Sequence, residues 1–165
     1  MAETREDQGC DSFETPPIDS IPEISKLHVA AMEASNDEAI WVAARMKHLL
    51  LRTIGRKSGG EHKVALPYWR DQDGHRIVAA SFAGSPRHPA WFINLRDRNA
   101  NPSVRVQERE RIWSAVPEIL EGAEHARVWA EMIVDRPYYQ TYQATCPRQI
   151  PLIRLKETSD AKEAR

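Results

Sequence analysis

A chain of 165 residues with 41% hydrophobic and 28% charged side chains has the length and mix of one globular domain. Its formal charge of -1 provides no global field for nucleic acid or acidic lipid, so any anion-binding site must be local. The two cysteines, Cys10 and Cys146, stand far apart, and no CxxC, HxxxH or HExxH occurs, which argues against a disulfide framework, a zinc site and metal catalysis.

Residues 1–22 are acidic and polar and contain Pro16, Pro17 and Pro22, a composition that predicts a mobile tail. The stretch has no basic segment followed by an apolar one, so it is not a signal peptide. Two stray thiols fit a reducing cytoplasm, and no apolar run is long enough to span a bilayer. From Glu23 to about Lys47, Met32, Ala39, Ile40, Val42, Ala43 and Met46 recur at helical spacing. The pattern breaks near Asn36-Asp37, where Asn36 can cap a fresh helix, so one helix or two short ones are expected.

Strands follow. His48–Ile54 (HLLLRTI) ends at Gly55, a second strand runs from His62 to Trp69, and Arg76–Phe82 is a third, together a meander. A helix starts near His88-Pro89 and carries Trp91, Phe92 and Leu95. Ser103–Gln107 and Arg111–Val116 are two more strands, Glu124–Val134 is a helix, and Ile150–Leu155 is the last strand. The order α-β-β-β-α-β-β-α-β predicts an α+β domain over 23–156, a closed or partly closed barrel of about six strands, between the tail 1–22 and a charged tail 157–165.

Three clusters can carry chemistry. In Gly55-Arg56-Lys57-Ser58-Gly59-Gly60 the glycines let backbone N–H groups converge, while Arg56, Lys57 and Ser58 add charge and a hydroxyl, equipment for a phosphate or carboxylate. An exposed hairpin turn with solvated basic residues is the plainer alternative. Small residues around Ser81 let a flat ring approach the backbone, and Trp91 and Asn94, three apart, share a helix face that could border it. The alternative is a tryptophan that anchors its helix to the barrel. Tyr138, Tyr139 and Tyr142 offer phenols that can donate to a substrate oxygen, or simply pack a helix.

The ordered pieces LLLRTIGRKSGG, HKVALPYWRDQDG, RIVAASF, HPAWFINL, YYQTYQ and IPLIRL resemble the deazaflavin-dependent nitroreductase family, coenzyme F420-dependent quinone reductases and nitroreductases, over about residues 45–156. The resemblance implies a split β-barrel of the FMN-binding type, with antiparallel strands and flanking helices. It implies that reduced F420 binds without a covalent link and gives its hydride to a quinone, nitro compound or enone. Arg56, Lys57 and Ser58 would grip the phosphate and glutamate tail of the coenzyme. His62 stands where the family commonly has arginine and joins that set. Ala79, Ala80 and Ser81 would present backbone to the ring, with Ala90, Trp91 and Asn94 beside it. Tyr139 and Tyr142 would line the acceptor pocket as the catalytic pair. The family also commonly has proline at Ala65 and lysine at Phe82. No metal is implied.

Other readings stay open at this point: an oxidoreductase that uses FMN, a non-catalytic deazaflavin carrier, or a peripheral membrane protein acting through its N-terminal segment. The partner expected is a small-molecule electron acceptor, not nucleic acid. Peripheral contact with the inner face of the membrane, and monomer against homodimer, are left undecided by the sequence.

Overall fold

A computed structural model describes residues 14–158; the rest of both tails lies outside the described residues. Ile18–Ser20 forms a 3-10 turn and helix α1 spans Ile21–Ala34, so helical structure begins inside the stretch assigned to the N-terminal tail. Pro22 sits in the first turn of α1, where a missing N–H costs nothing. The helix buries Val29 and Met32 against Trp41 and Leu50. Asp37, not Asn36, caps the single-turn α2 (Glu38–Trp41) by accepting from Ala39 N at 3.0 Å.

The helical periodicity expected up to Lys47 fails after Trp41. Strand β1 (Val42–Ala43) instead pairs with the start of β2 (Met46–Ile54). The turn between them places Ala44 and Arg45 at φ 51° and 63°, the twist a two-residue hairpin prefers. Neither residue is the glycine or asparagine that usually announces such a turn.

The other strands are β3 (Glu61–Pro67), β4 (Trp69–Arg70), β5 (Arg76–Ala79), β6 (Val104–Glu108), β7 (Arg111–Ile119) and β8 (Leu152–Glu157). All pairings are antiparallel, in the order β1-β2-β6-β7-β8-β5-β4, with β3 also on β2. Since β3 and β4 are separated only by Tyr68, the chain itself completes the circuit of a small barrel. The expected meander is present, its middle strand bent at Tyr68. The expected third strand stops at Ala79 rather than Phe82, because the chain turns at Ser81.

Alternation along the strands explains the apolar runs. Leu49 and Leu51 point into the barrel with Val78, Val106, Trp113, Ile153 and Leu155, while Leu50 points outward beneath α1. Ile77 and Leu152 face the opposite way, packing under α4 (Gly122–Asp135) and α5 (Tyr138–Thr145) through Val128, Met132 and Tyr139. The tyrosine segment is therefore a helix laid on the outside of the barrel. Helix α3 (Ala90–Arg96) plugs the barrel with Trp91, Phe92 and Leu95.

Candidate active site

A cleft of about 1210 Å³ runs along the barrel wall, bounded by α1, the outer ends of β2 and β3, Ala79, the 81–89 loop, α3 and α5. Register gives it a direction. His48 lies opposite Pro67 and Ile54 opposite Glu61, so the 55–60 loop and the Met46–His48 end are about 20 Å apart along β2.

The basic loop occupies one end. Gly55 N donates to Gly60 O at 2.8 Å and Gly59 N to Gly55 O at 2.9 Å. A Cβ on Gly55 would fall 2.5 Å from Ser58 Oγ and 2.7 Å from His62 Nε2, and Gly59 adopts φ 69°, so both glycines are required by the turn. Arg56 donates through its backbone N (3.4 Å) and Nη1 (3.1 Å) to Asn94 Oδ1. Ser58 Oγ accepts from Gly60 N at 3.1 Å and lies 3.4 Å from His62 Nε2. Arg56, Lys57 and Ser58 are exposed and stand just beyond the cleft wall, joined to it through Asn94 and His62, which line it. Among the described residues no carboxylate lies within ion-pair distance of Arg56 or Lys57, so their charge is available to an anion.

Ala79, Ser81, Phe82, Ala83, His88, Ala90, Trp91 and Asn94 form the middle of the wall. Ala80 does not: its side chain is in the barrel interior and its N–H donates to Pro151 O at 2.9 Å. Phe82, Ala83 and Gly84 are left-handed in succession, at φ 43°, 51° and 81°, a strained turn where a Cβ on Gly84 would meet Tyr142 O at 3.0 Å. One guanidinium holds this turn. Arg148 donates to four backbone oxygens, those of Ala80 (3.0 Å), Ser81 (3.0 Å), Ser85 (3.1 Å) and Arg87 (3.1 Å). His88 Nδ1 is buried with no hydrogen-bond partner among the described residues, in a ring that lines the cleft and that burial keeps neutral by lowering its pKa.

The tyrosine helix closes the far end. Tyr138, Tyr139 and Tyr142 all line the cleft, with ring centroids 4.4 to 6.1 Å apart. Tyr138 Oη donates to Met46 Sδ at 3.0 Å, and the Tyr142 hydroxyl is 2.7 Å from Thr15 Oγ1. That second bond ties the N-terminal segment across the opening. Pro16, Ile21, Pro22, Ile24 and Ser25 line the cleft above it, and Ser25 Oγ accepts from Ala65 N at 3.2 Å.

His48 belongs to the same end. Burial, the largest cause, lowers its pKa from 6.5 to about 4, against the effect of its bond to Met46 O. The unfolded chain therefore binds this proton more readily than the folded one. The stabilisation is complete above the unfolded value and is lost as pH falls toward 4, a difference of about 3 kcal/mol at most. Denaturant unfolding of wild type and His48→Gln at neutral and mildly acidic pH checks this. The wild type should lose stability on acidification faster than the variant.

The sequence singles out the basic loop, the segment around Ser81 with α3, and the tyrosines; the structure sets the last two along one cleft and the loop at its edge. It also adds residues with no sequence signal, Arg148 and the histidines His28 and His48, and brings in His88 and the wall of α1, the helix that the apolar spacing at Met32 predicts.

Comparisons agree with this architecture. The family described as F420H(2)-dependent quinone reductase matches residues 24–157. An F420H(2)-dependent quinone reductase of Mycobacterium tuberculosis is 35% identical over 112 residues, 65% of this chain and 71% of that protein. A solved F420-H2 dependent reductase, FDR-A, superposes with a TM-score of 0.56 at 32% identity, covering 66% of this chain and 93% of its own. A further solved structure, described only as a domain-swapped dimer, gives a TM-score of 0.58 at 27% identity over 86% of this chain and all of its own. With most of its length matched, from α1 to the end of β8, this chain belongs to the family of F420H(2)-dependent quinone reductases.

Proposed function

We propose that the cleft holds reduced F420 lengthwise, its anionic tail at the 55–60 loop, and that a quinone is reduced at the tyrosine end. Family membership makes the chain an F420-dependent oxidoreductase acting on a small-molecule acceptor and favours F420 over FMN. The observation that carries the assignment of the ends is the cleft itself. It runs from Asn94 and His62, beside the exposed cations of the 55–60 loop, to a three-phenol wall, with the orphaned His88 Nδ1 between them. Those features fit an elongated coenzyme with a polar heteroaromatic ring and a charged tail.

When bound, the reduced deazaflavin supplies a hydride from a ring carbon. The protein does the rest. Arg56 and Lys57 hold the tail, assisted by Ser58 and His62, and Asn94 fixes Arg56 by accepting from it twice. Ala79, Ser81, Ala90 and Trp91 border the ring, with Ala80 supporting that wall from inside the barrel. Residues 15–25 cover the cleft and limit water. Tyr139 donates to the quinone oxygen that gains negative charge, and Tyr142, held by Thr15, keeps the pocket shaped.

This reading favours a homodimer, with the domain-swapped relative as support, and a cytoplasmic location. No helix among the described residues is long and apolar enough to cross a membrane. Any peripheral contact with the inner membrane face would involve α1, where Leu27 is 64% exposed.

The test is the Arg56→Ala, Lys57→Ala double variant, titrated with F420 by fluorescence. Losing two charge-assisted contacts near the surface should weaken binding by roughly tenfold to a hundredfold. Wild-type binding should also weaken with added salt and the variant should respond less. Equal affinities would move the anionic tail to another part of the protein.

A further inference from the structure

At the tyrosine end two imidazoles face one another. His28 on α1 and His48 on β2 have ring centroids 5.0 Å apart, and both line the cleft. Each is fixed by a backbone carbonyl: His28 Nε2 lies 2.6 Å from Ile40 O and His48 Nδ1 lies 2.8 Å from Met46 O. A carbonyl oxygen can only accept, so the bonded nitrogen of each ring carries the proton. In the neutral ring the other nitrogen, Nδ1 of His28 and Nε2 of His48, then offers a lone pair and no hydrogen.

Neither of those two nitrogens has a hydrogen-bond partner among the described residues. The neighbouring phenol does not supply one, because Tyr138 Oη gives its proton to Met46 Sδ at 3.0 Å. His48 stays neutral at physiological pH, since burial holds its pKa at about 4. A polar corner that only accepts hydrogen bonds selects its occupant by chemistry. A carbonyl-only ring edge would leave both lone pairs unsatisfied, whereas a hydroxyl would satisfy one of them.

We propose that His28 and His48 form a subsite for an aromatic hydroxyl, so that the cleft favours hydroxyl-bearing quinones and the quinol product over rings without such a donor. The inference rests on the reading that this end of the cleft takes the quinone. Reduction of a quinone takes the hydride of reduced F420, which brings both electrons and one hydrogen, and one proton from water, and so converts its carbonyl oxygens into hydroxyls. The product therefore acquires the donor that the substrate lacks, and the subsite implies inhibition by quinol.

The experiment is calorimetric titration of the full chain with naphthol and with methoxynaphthalene, which differ in the donor and do not undergo the reaction. Wild type should bind naphthol about tenfold more tightly. The His28→Leu, His48→Leu double variant should bind both alike. His48→Gln should retain the preference, because its Oε1 can replace Nε2 as acceptor. Naphthol should also shift an imidazole nitrogen resonance of the wild-type protein, a readout that needs no variant. Equal affinities in wild type, no binding of either compound, or a preference that survives in the double variant would each overturn the subsite. Turnover of a plain quinone with reduced F420 is read separately. Its absence would sink the assignment of the cleft to quinone whatever the calorimetry gives.

Discussion

Arg148→Gln should destabilise the protein by about 3–5 kcal/mol and loosen coenzyme binding in whatever fraction remains folded. The side chain donates to the carbonyl oxygens of Ala80, Ser81, Ser85 and Arg87, and Cys146 Sγ adds a weak contact to the Ser85 oxygen at 3.5 Å. No neutral side chain of similar size can reach all four. Glutamine would leave partly buried carbonyls unmatched, each costing about 1–3 kcal/mol when desolvated. The clamp also opposes local strain, because Phe82 and Ala83 are non-glycine residues at positive φ in the same turn. Arg148→Lys keeps the charge but not the planar fork, so it should fall between the two. Denaturant unfolding gives the stabilities, and F420 titration of the lysine variant reports on the wall formed by Ser81. An unchanged midpoint for Arg148→Gln would mean that the turn holds itself.

Tyr139→Phe should lower turnover of a quinone by roughly tenfold to a thousandfold while leaving stability and F420 affinity nearly intact. Tyr139 is 4% exposed and its ring packs with Trp69, Ile77 and Met132, contacts that phenylalanine preserves. The hydroxyl is what is lost. Its neighbours are poorly placed to replace it. Tyr138 donates to Met46, and burial raises the pKa of that phenol, so it is a poor proton source. Tyr142 is tied to Thr15. Single-turnover rates separate the chemical step from binding. Unchanged rates would reduce Tyr139 to packing, and lost coenzyme binding would move it from the acceptor to the coenzyme wall.

The barrel was legible because its strands carry unambiguous patterns. HLLLRTI is buried on both faces, since Leu50 lies under α1 while Leu49 and Leu51 fill the interior, and IPLIRL alternates between the two cores. Positions 42–47 suggest a helix because a handful of small and apolar residues fits both periods, and the hairpin turn there uses Ala44 and Arg45. The end of the third strand was hidden for a different reason. Its boundary is imposed by Arg148, 67 residues beyond Ser81.

The candidate site divides similarly. GRKSGG could be recognised because the turn needs glycine where a Cβ would strike Ser58 and His62. Helical spacing puts Asn94 beside Trp91, yet its carboxamide oxygen serves Arg56, a pairing across 38 residues that only the fold reveals. His28 and His48 stand in no motif. His28 and His48 meet because α1 crosses β3 at Ser25 and Ala65, next to β2.

Anaerobic mixing of the full chain with reduced F420 and a quinone tests whether this one cleft joins the two. The deazaflavin absorbance band should return, with one quinone consumed for each coenzyme oxidised, only when protein and quinone are present together. The rate should fall in both Tyr139→Phe and the Arg56→Ala, Lys57→Ala variant, through turnover in the first and coenzyme affinity in the second. Oxidation at the same rate without the protein, or none from a folded chain that binds F420, would contradict the proposed function.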